Sequence, residues 1–151
     1  MVIQFKIPNG TMSIDAKAFF QGARITRIRK MFKMYRESSP KLEDVLILRA
    51  WLMDQIASEN QAAKDAAEEH INERSRLRDL EDQYEQMKSP CYAFYTHDKE
   101  VLQEAKQLII DCRKQCRALL RQSENAVKAE ARYKDVFKEF CRLFEGEGGT
   151  E

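Results

Sequence analysis

The chain has little of what interrupts a helix. Its 151 residues include only 5 Gly and 3 Pro, and the prolines stand far apart at Pro8, Pro40 and Pro90. It also lacks a charge excess, since 26 Lys and Arg balance 25 Asp and Glu for a net charge of +1. That average excludes a binder that is basic throughout. No apolar stretch approaches the roughly 18 residues of a membrane-spanning helix. The longest apolar cluster, Val45 to Met53, is interrupted by Arg49. A basic leader followed by an apolar run is missing from the start of the chain, so the sequence predicts no signal peptide and no membrane partner. The glycines form no phosphate loop, and histidine occurs only twice, at His70 and His97. Together these absences predict a single soluble domain in the cytoplasm.

What is present points to helices. A hydrophobic fraction of 43% is too high for a disordered chain, and a mean hydropathy of −0.64 is too polar for a membrane protein. Glu, Lys, Ala, Leu, Arg and Gln dominate, the usual composition of long helices. Four cysteines, Cys91, Cys112, Cys116 and Cys141, are an even number, but without a secretory signal they read as free thiols in a reducing compartment.

The first segment reads as strands. Ile3 to Ile7 alternates apolar and polar residues, and Asn9-Gly10 is a strong hairpin signal ahead of Thr11 to Ile14. Residues 1–14 therefore predict a β-hairpin, with Pro8 blurring its register. Residues 15–37 predict a helix whose apolar face carries Phe19, Phe20, Ala23, Ile28, Met31, Phe32 and Tyr35, with Gly22 as a point where it kinks or splits. Ser38-Ser39-Pro40 stops it. Residues 41–88 and 98–145 predict two long helices joined by an aromatic turn, with residues 146–151 as a frayed tail. The first long seam runs through Leu42, Val45, Arg49, Leu52, Ile56, Ala63, Ala66, His70, Leu77, Leu80, Tyr84 and Met87. The second runs through Val101, Ala105, Leu108, Cys112, Cys116, Leu119, Ala126, Tyr133, Phe137, Phe140 and Phe144.

A short turn makes the two long helices antiparallel, so facing positions sum to about 186 at a common rise of 1.5 Å per residue. Trp51 and Leu52 then lie near Tyr133 and Phe137. The expected fold class is mostly α: a short N-terminal β-hairpin and a three-helix bundle at one end of a long antiparallel coiled-coil pair.

The balanced charge hides an uneven distribution. Residues 1–41 carry 9 basic and 2 acidic residues, residues 42–88 carry 6 and 12, and residues 89–151 carry 11 of each. Arg24, Arg27, Arg29, Lys30, Lys33 and Arg36 make residues 24–36 a basic amphipathic helix. Three readings stay open for it: phosphate contact with a nucleic acid, contact with an acidic protein surface, or charge pairing with the acidic long helix in the same chain or across a homodimer. The aromatic turn offers Tyr92, Phe94 and Tyr95 as a protein-interaction site, because aromatic anchors are typical of interface centres. The alternative is that they fold back on Met87, Tyr84 and Val101.

Catalytic chemistry has few candidates. The pairing rule sets His70 opposite Cys116, near Cys112 and Glu73, but two thiols at i and i+4 on one helix are an unusual metal set. No catalytic, metal-binding or cofactor residues are assigned. The expectation is a non-enzymatic protein-interaction module, a small inhibitor or adaptor acting on a nucleic-acid-processing partner. The alternative is a nucleic-acid-binding protein that uses residues 24–36.

Overall fold

The structure is a computed structural model, and it describes residues 1–146; the tail expected at 146–151 falls outside it apart from Gly146. Two strands and four helices follow in chain order: β1 (Val2–Ile7), β2 (Gly10–Asp15), α1 (Ala16–Gly22), α2 (Ile25–Glu37), α3 (Leu42–Lys88) and α4 (Lys99–Phe144). The protein is mostly α-helical, with a short antiparallel hairpin and two long helices packed against each other. The chain divides into two compact units, Met1–Asn60 with the segment from Val127, and Gln61–Ala126.

In the first unit, β1 and β2 pair antiparallel with Ile3 opposite Ile14 and Phe5 opposite Met12. Those four side chains share one face because strand side chains alternate. The turn is not the expected Asn9-Gly10 pair. Ile7 faces Gly10, so Pro8 and Asn9 form the turn, one residue earlier. The Asn-Gly turn type needs positive φ at both central residues. Pro8 fixes a negative φ and suits the first central position of an ordinary turn instead. Gly10 opens β2 at φ 145°, a value that side chains rarely adopt.

The helix expected at 15–37 is two helices, α1 and α2. Ala23 and Arg24 between them are extended, both with ψ near 150°. Gly22 ends α1, and the break turns two apolar faces toward one centre. Phe20 and Phe32, both fully buried, meet with ring centroids 5.6 Å apart. Phe32 also meets Phe140 and Phe144 edge-on, and Trp51 meets Tyr133 edge-on at 5.9 Å, as the pairing rule anticipates. Ile3, Phe5, Leu48, Leu52 and Val136 complete this core. Ser39, at φ 55°, reverses the chain from α2 into α3.

In the second unit, α3 and α4 form an antiparallel pair. Ser123 Oγ donates to the Ala63 carbonyl at 3.3 Å, and Cys112 Sγ donates to the Glu73 carbonyl at 3.5 Å. A side chain reaches the facing backbone only where the helices run close, and the small residues Ala63, Ala66 and Ala126 allow it. Along α4 the buried positions Ile109, Cys112, Cys116 and Leu119 are spaced three, four and three apart, and Ala126 follows seven further on, the spacing of a coiled-coil seam. Leu108, expected in that seam, stands one position off it and is exposed, as is Val101. Leu42 of the first unit is exposed too, and Leu48 takes the buried place. Asp98 caps α4, its Oδ1 accepting from the Glu100 N–H at 2.9 Å, and Thr96 Oγ1 accepts from the Asp98 N–H at 3.1 Å just ahead of the helix.

Candidate interaction surfaces

The aromatic turn lies in the second unit between α3 and α4. Its backbone is tied by hydrogen bonds from Tyr92 N–H to Ser89 C=O, from Tyr95 N–H to Tyr92 C=O and from Thr96 N–H to Met87 C=O, all between 3.0 and 3.2 Å. Tyr92 is 53% exposed and Phe94 65%, so neither folds back on the helices. Tyr95 differs. Its hydroxyl lies 3.0 Å from His97 Nδ1 and its ring stands against the imidazole, leaving it half-buried. The three aromatics are thus two exposed groups on an ordered loop and one that holds the loop.

The six cations of residues 24–36 differ in what they meet. Arg29 Nε and Nη2 donate to both carboxylate oxygens of Glu139 at 3.0 and 2.9 Å. Arg36 donates to the Leu143 carbonyl at 3.0 Å. These two hold α2 against α4 within the first unit. Arg27 lies over the Phe19 ring at 5.6 Å, a cation–π contact on the opposite flank. Arg24, Lys30 and Lys33 are exposed and have no acidic partner among the described residues. The amphipathic spacing alone could not separate these roles, because it shows which residues avoid the core and not which of them meet a neighbour.

Beside that helix lies a groove absent from the sequence reading. It encloses about 730 Å³ between β2, α1 and α2. Met12, Phe19, Met31 and Met34 line it with Ala18 and Ala23, and its charged lining residues are Asp15, Arg27 and Lys30. Methionine side chains are flexible and polarisable, so such a lining adapts to varied apolar shapes. The signal for it was Met34, an apolar residue off the buried stripe of its helix. Leu42, Leu46, Ile47 and Met53 form a second exposed apolar group on α3. Residues 42–53 carry apolar side chains around much of the helix, interrupted by Glu43, Asp44 and Arg49.

Two of the four thiols, Cys112 and Cys141, are poorly suited to nucleophilic chemistry. Cys141 is buried and its pKa is pushed up to about 11, by burial first and then by the charge of Glu145. Cys112 is raised as well, chiefly by burial and then by Glu73. His70 and Cys116 do line one shallow hollow, as the pairing rule places them. Among the described residues no group of three or more His, Cys, Asp or Glu is arranged to hold a metal ion. No helix among them is long and apolar enough to cross a membrane. No known family's sequence profile matches the chain, and no curated protein or solved structure shows detectable similarity to it.

Proposed function

We propose that this chain is a non-enzymatic protein-interaction module, a small inhibitor or adaptor for a nucleic-acid-processing partner. The observation that carries the reading is the methionine-lined groove with Arg27 and Lys30 among its charged lining residues. A duplex offers phosphates to cations but keeps its bases stacked inside, leaving little to bury Met12, Phe19 and Met34. A protein segment with apolar side chains and acidic flanks satisfies both halves of the groove. The exposed pair Tyr92 and Phe94 supplies a second contact on an ordered loop.

Affinity capture from native extract, with and without nuclease, tests it. The expected result is a defined protein retained after nuclease treatment and lost with Met34→Asp or with Phe94→Ala. Retention that depends on nucleic acid sinks this reading and favours the alternative, a nucleic-acid contact through Arg24, Lys30 and Lys33. That alternative rests on their exposure without acidic partners, and it predicts salt-sensitive oligonucleotide binding lost with Lys30→Glu plus Lys33→Glu.

A further inference from the structure

The second unit carries a separate surface on one flank of its helix pair. His70, Arg74 and Leu77 of α3 and Arg113, Arg117 and Leu120 of α4 line one hollow of about 230 Å³, with the Cys116 thiol at its base. A neighbouring hollow of about 290 Å³ shares Arg74 and adds Ile71, Ser75 and Arg78. Four arginines therefore converge on one flank, and among the described residues only one has an ion pair there, Arg113 with Glu81 at 3.2 Å. Between them stand two large apolar side chains in water, Ile71 at 67% and Leu120 at 45% exposure. Single exposed leucines are ordinary. An exposed isoleucine and leucine set among four arginines, along the groove between two antiparallel helices, form a pattern with a specific complement.

We infer that this flank binds an amphipathic helix of a partner protein, with an apolar stripe bordered by Asp and Glu. The groove between two packed helices receives a third as in a three-helix bundle. The apolar stripe covers Ile71, Leu77 and Leu120, and guanidinium forks meet carboxylates in bidentate pairs. Charge decides against two other occupants. The unit as a whole holds 11 basic and 13 acidic residues, a net of −2, so it offers a long polyanion no attraction beyond the patch itself. A second copy is also a poor fit. The exposed acids Asp65, Glu69, Asp79 and Asp111 occupy the opposite flank by heptad position, so a two-fold dimer through the arginine flank sets like charges together.

Fluorescence anisotropy with the full chain tests the inference. The probe is a labelled, helix-stapled synthetic peptide with one leucine stripe bordered by glutamates. Its expected Kd lies in the micromolar range. Three changes are expected to weaken it by about ten-fold or more: scattering the leucines at constant composition, Arg74→Glu plus Arg117→Glu, and Ile71→Asp plus Leu120→Asp. Far-ultraviolet circular dichroism of each variant confirms retained helix, which these exposed positions permit. Met34→Asp, in the other unit, is expected to leave binding unchanged, so this inference and the function proposed above fail separately. Equal binding of the scattered peptide overturns the inference. So does loss with the arginine changes but not with the apolar ones, or tighter binding of a single-stranded or duplex oligonucleotide. Self-association abolished by the same substitutions, read by sedimentation, assigns the flank to a second copy and overturns it as well.

Discussion

Arg29 holds Glu139 by a two-bonded fork, at 3.0 and 2.9 Å, and the carboxylate it holds is only 5% exposed. Arg142 approaches the same oxygens at 3.4 Å from one turn along α4. The forked bond from Arg29 comes first among the causes that keep Glu139 below its ordinary value of 4.5, and burial opposes it. A carboxylate with a depressed folded pKa stabilises the fold above its unfolded pKa, and that contribution disappears as pH falls through the folded value. Stability of the wild-type chain should therefore drop as acid is added below about pH 4.5. Glu139→Gln should lower stability at neutral pH and flatten that acid limb. Urea titrations at several pH values measure both, and an unchanged limb in the variant would count against Glu139 as its source.

Tyr133 is fully buried, and its hydroxyl is the one buried side-chain polar atom without a hydrogen-bond partner among the described residues. A buried hydroxyl that lost its water without a replacement destabilises the fold, so removing it relieves a cost. Tyr133→Phe is expected to be neutral or stabilising by about 1 kcal/mol in chemical denaturation. The edge-on contact with Trp51 is kept by the phenyl ring. A clear loss of stability would show that the hydroxyl has a partner in solution.

Phe32 touches three other rings at the centre of the first unit, whereas Leu42 is 73% exposed. Truncating the first leaves a cavity among side chains that cannot close it. Phe32→Ala should cost about 3–5 kcal/mol. Leu42→Ala should change stability by no more than about 0.5 kcal/mol. If Leu42→Ala proves strongly destabilising in the isolated chain, its exposure is wrong.

One of four thiols is exposed, Cys91, and the other three are buried. A native-state titration with a thiol reagent near pH 8 should modify Cys91 within minutes. Cys112 and Cys141 should react only on opening, because a raised pKa leaves little thiolate at that pH. Mass spectrometry of the labelled peptides distinguishes the sites. Rapid native labelling of Cys141 would mean that the end of α4 opens readily.

Both long helices were legible in the sequence because helix breakers are absent from 42–88 and 99–144, and the turn between them is short. The pairing rule followed from that alone, and it located Trp51 against Tyr133. The hairpin was legible too, but its turn was not. Pro8 and Asn9-Gly10 each demanded a turn, one residue apart, and only the backbone conformation decides between them. The basic helix was legible as a composition and not as a surface. Spacing gives the angle of a residue around its own helix, but Arg29 and Arg36 are distinguished from Lys30 and Lys33 by what stands across from them. Leu42 and Leu108 were assigned to seams because they are apolar and near the right spacing, and a tolerance of one position moves a side chain by about 100° around a helix. The arginine flank needed both helices at once, since Arg74 and Arg113 are far apart in the chain.

The seam of the second unit is built from small side chains. Ala63, Ala66, Ala126 and two cysteines fill it, with Ile109 and Leu119 as its only large buried groups. Little apolar area is removed from water there, whereas the first unit buries Tyr133, Phe20, Phe32 and Phe140 completely. Local opening follows the apolar area lost on opening. Amide hydrogens of residues 61–88 and 99–126 should therefore exchange with solvent well before those of 28–35 and 133–141, even though all of these are helical. One continuous helix would then carry two protection levels, and a partner gripping the weaker stretch would show itself as slowed exchange without any change in helix content.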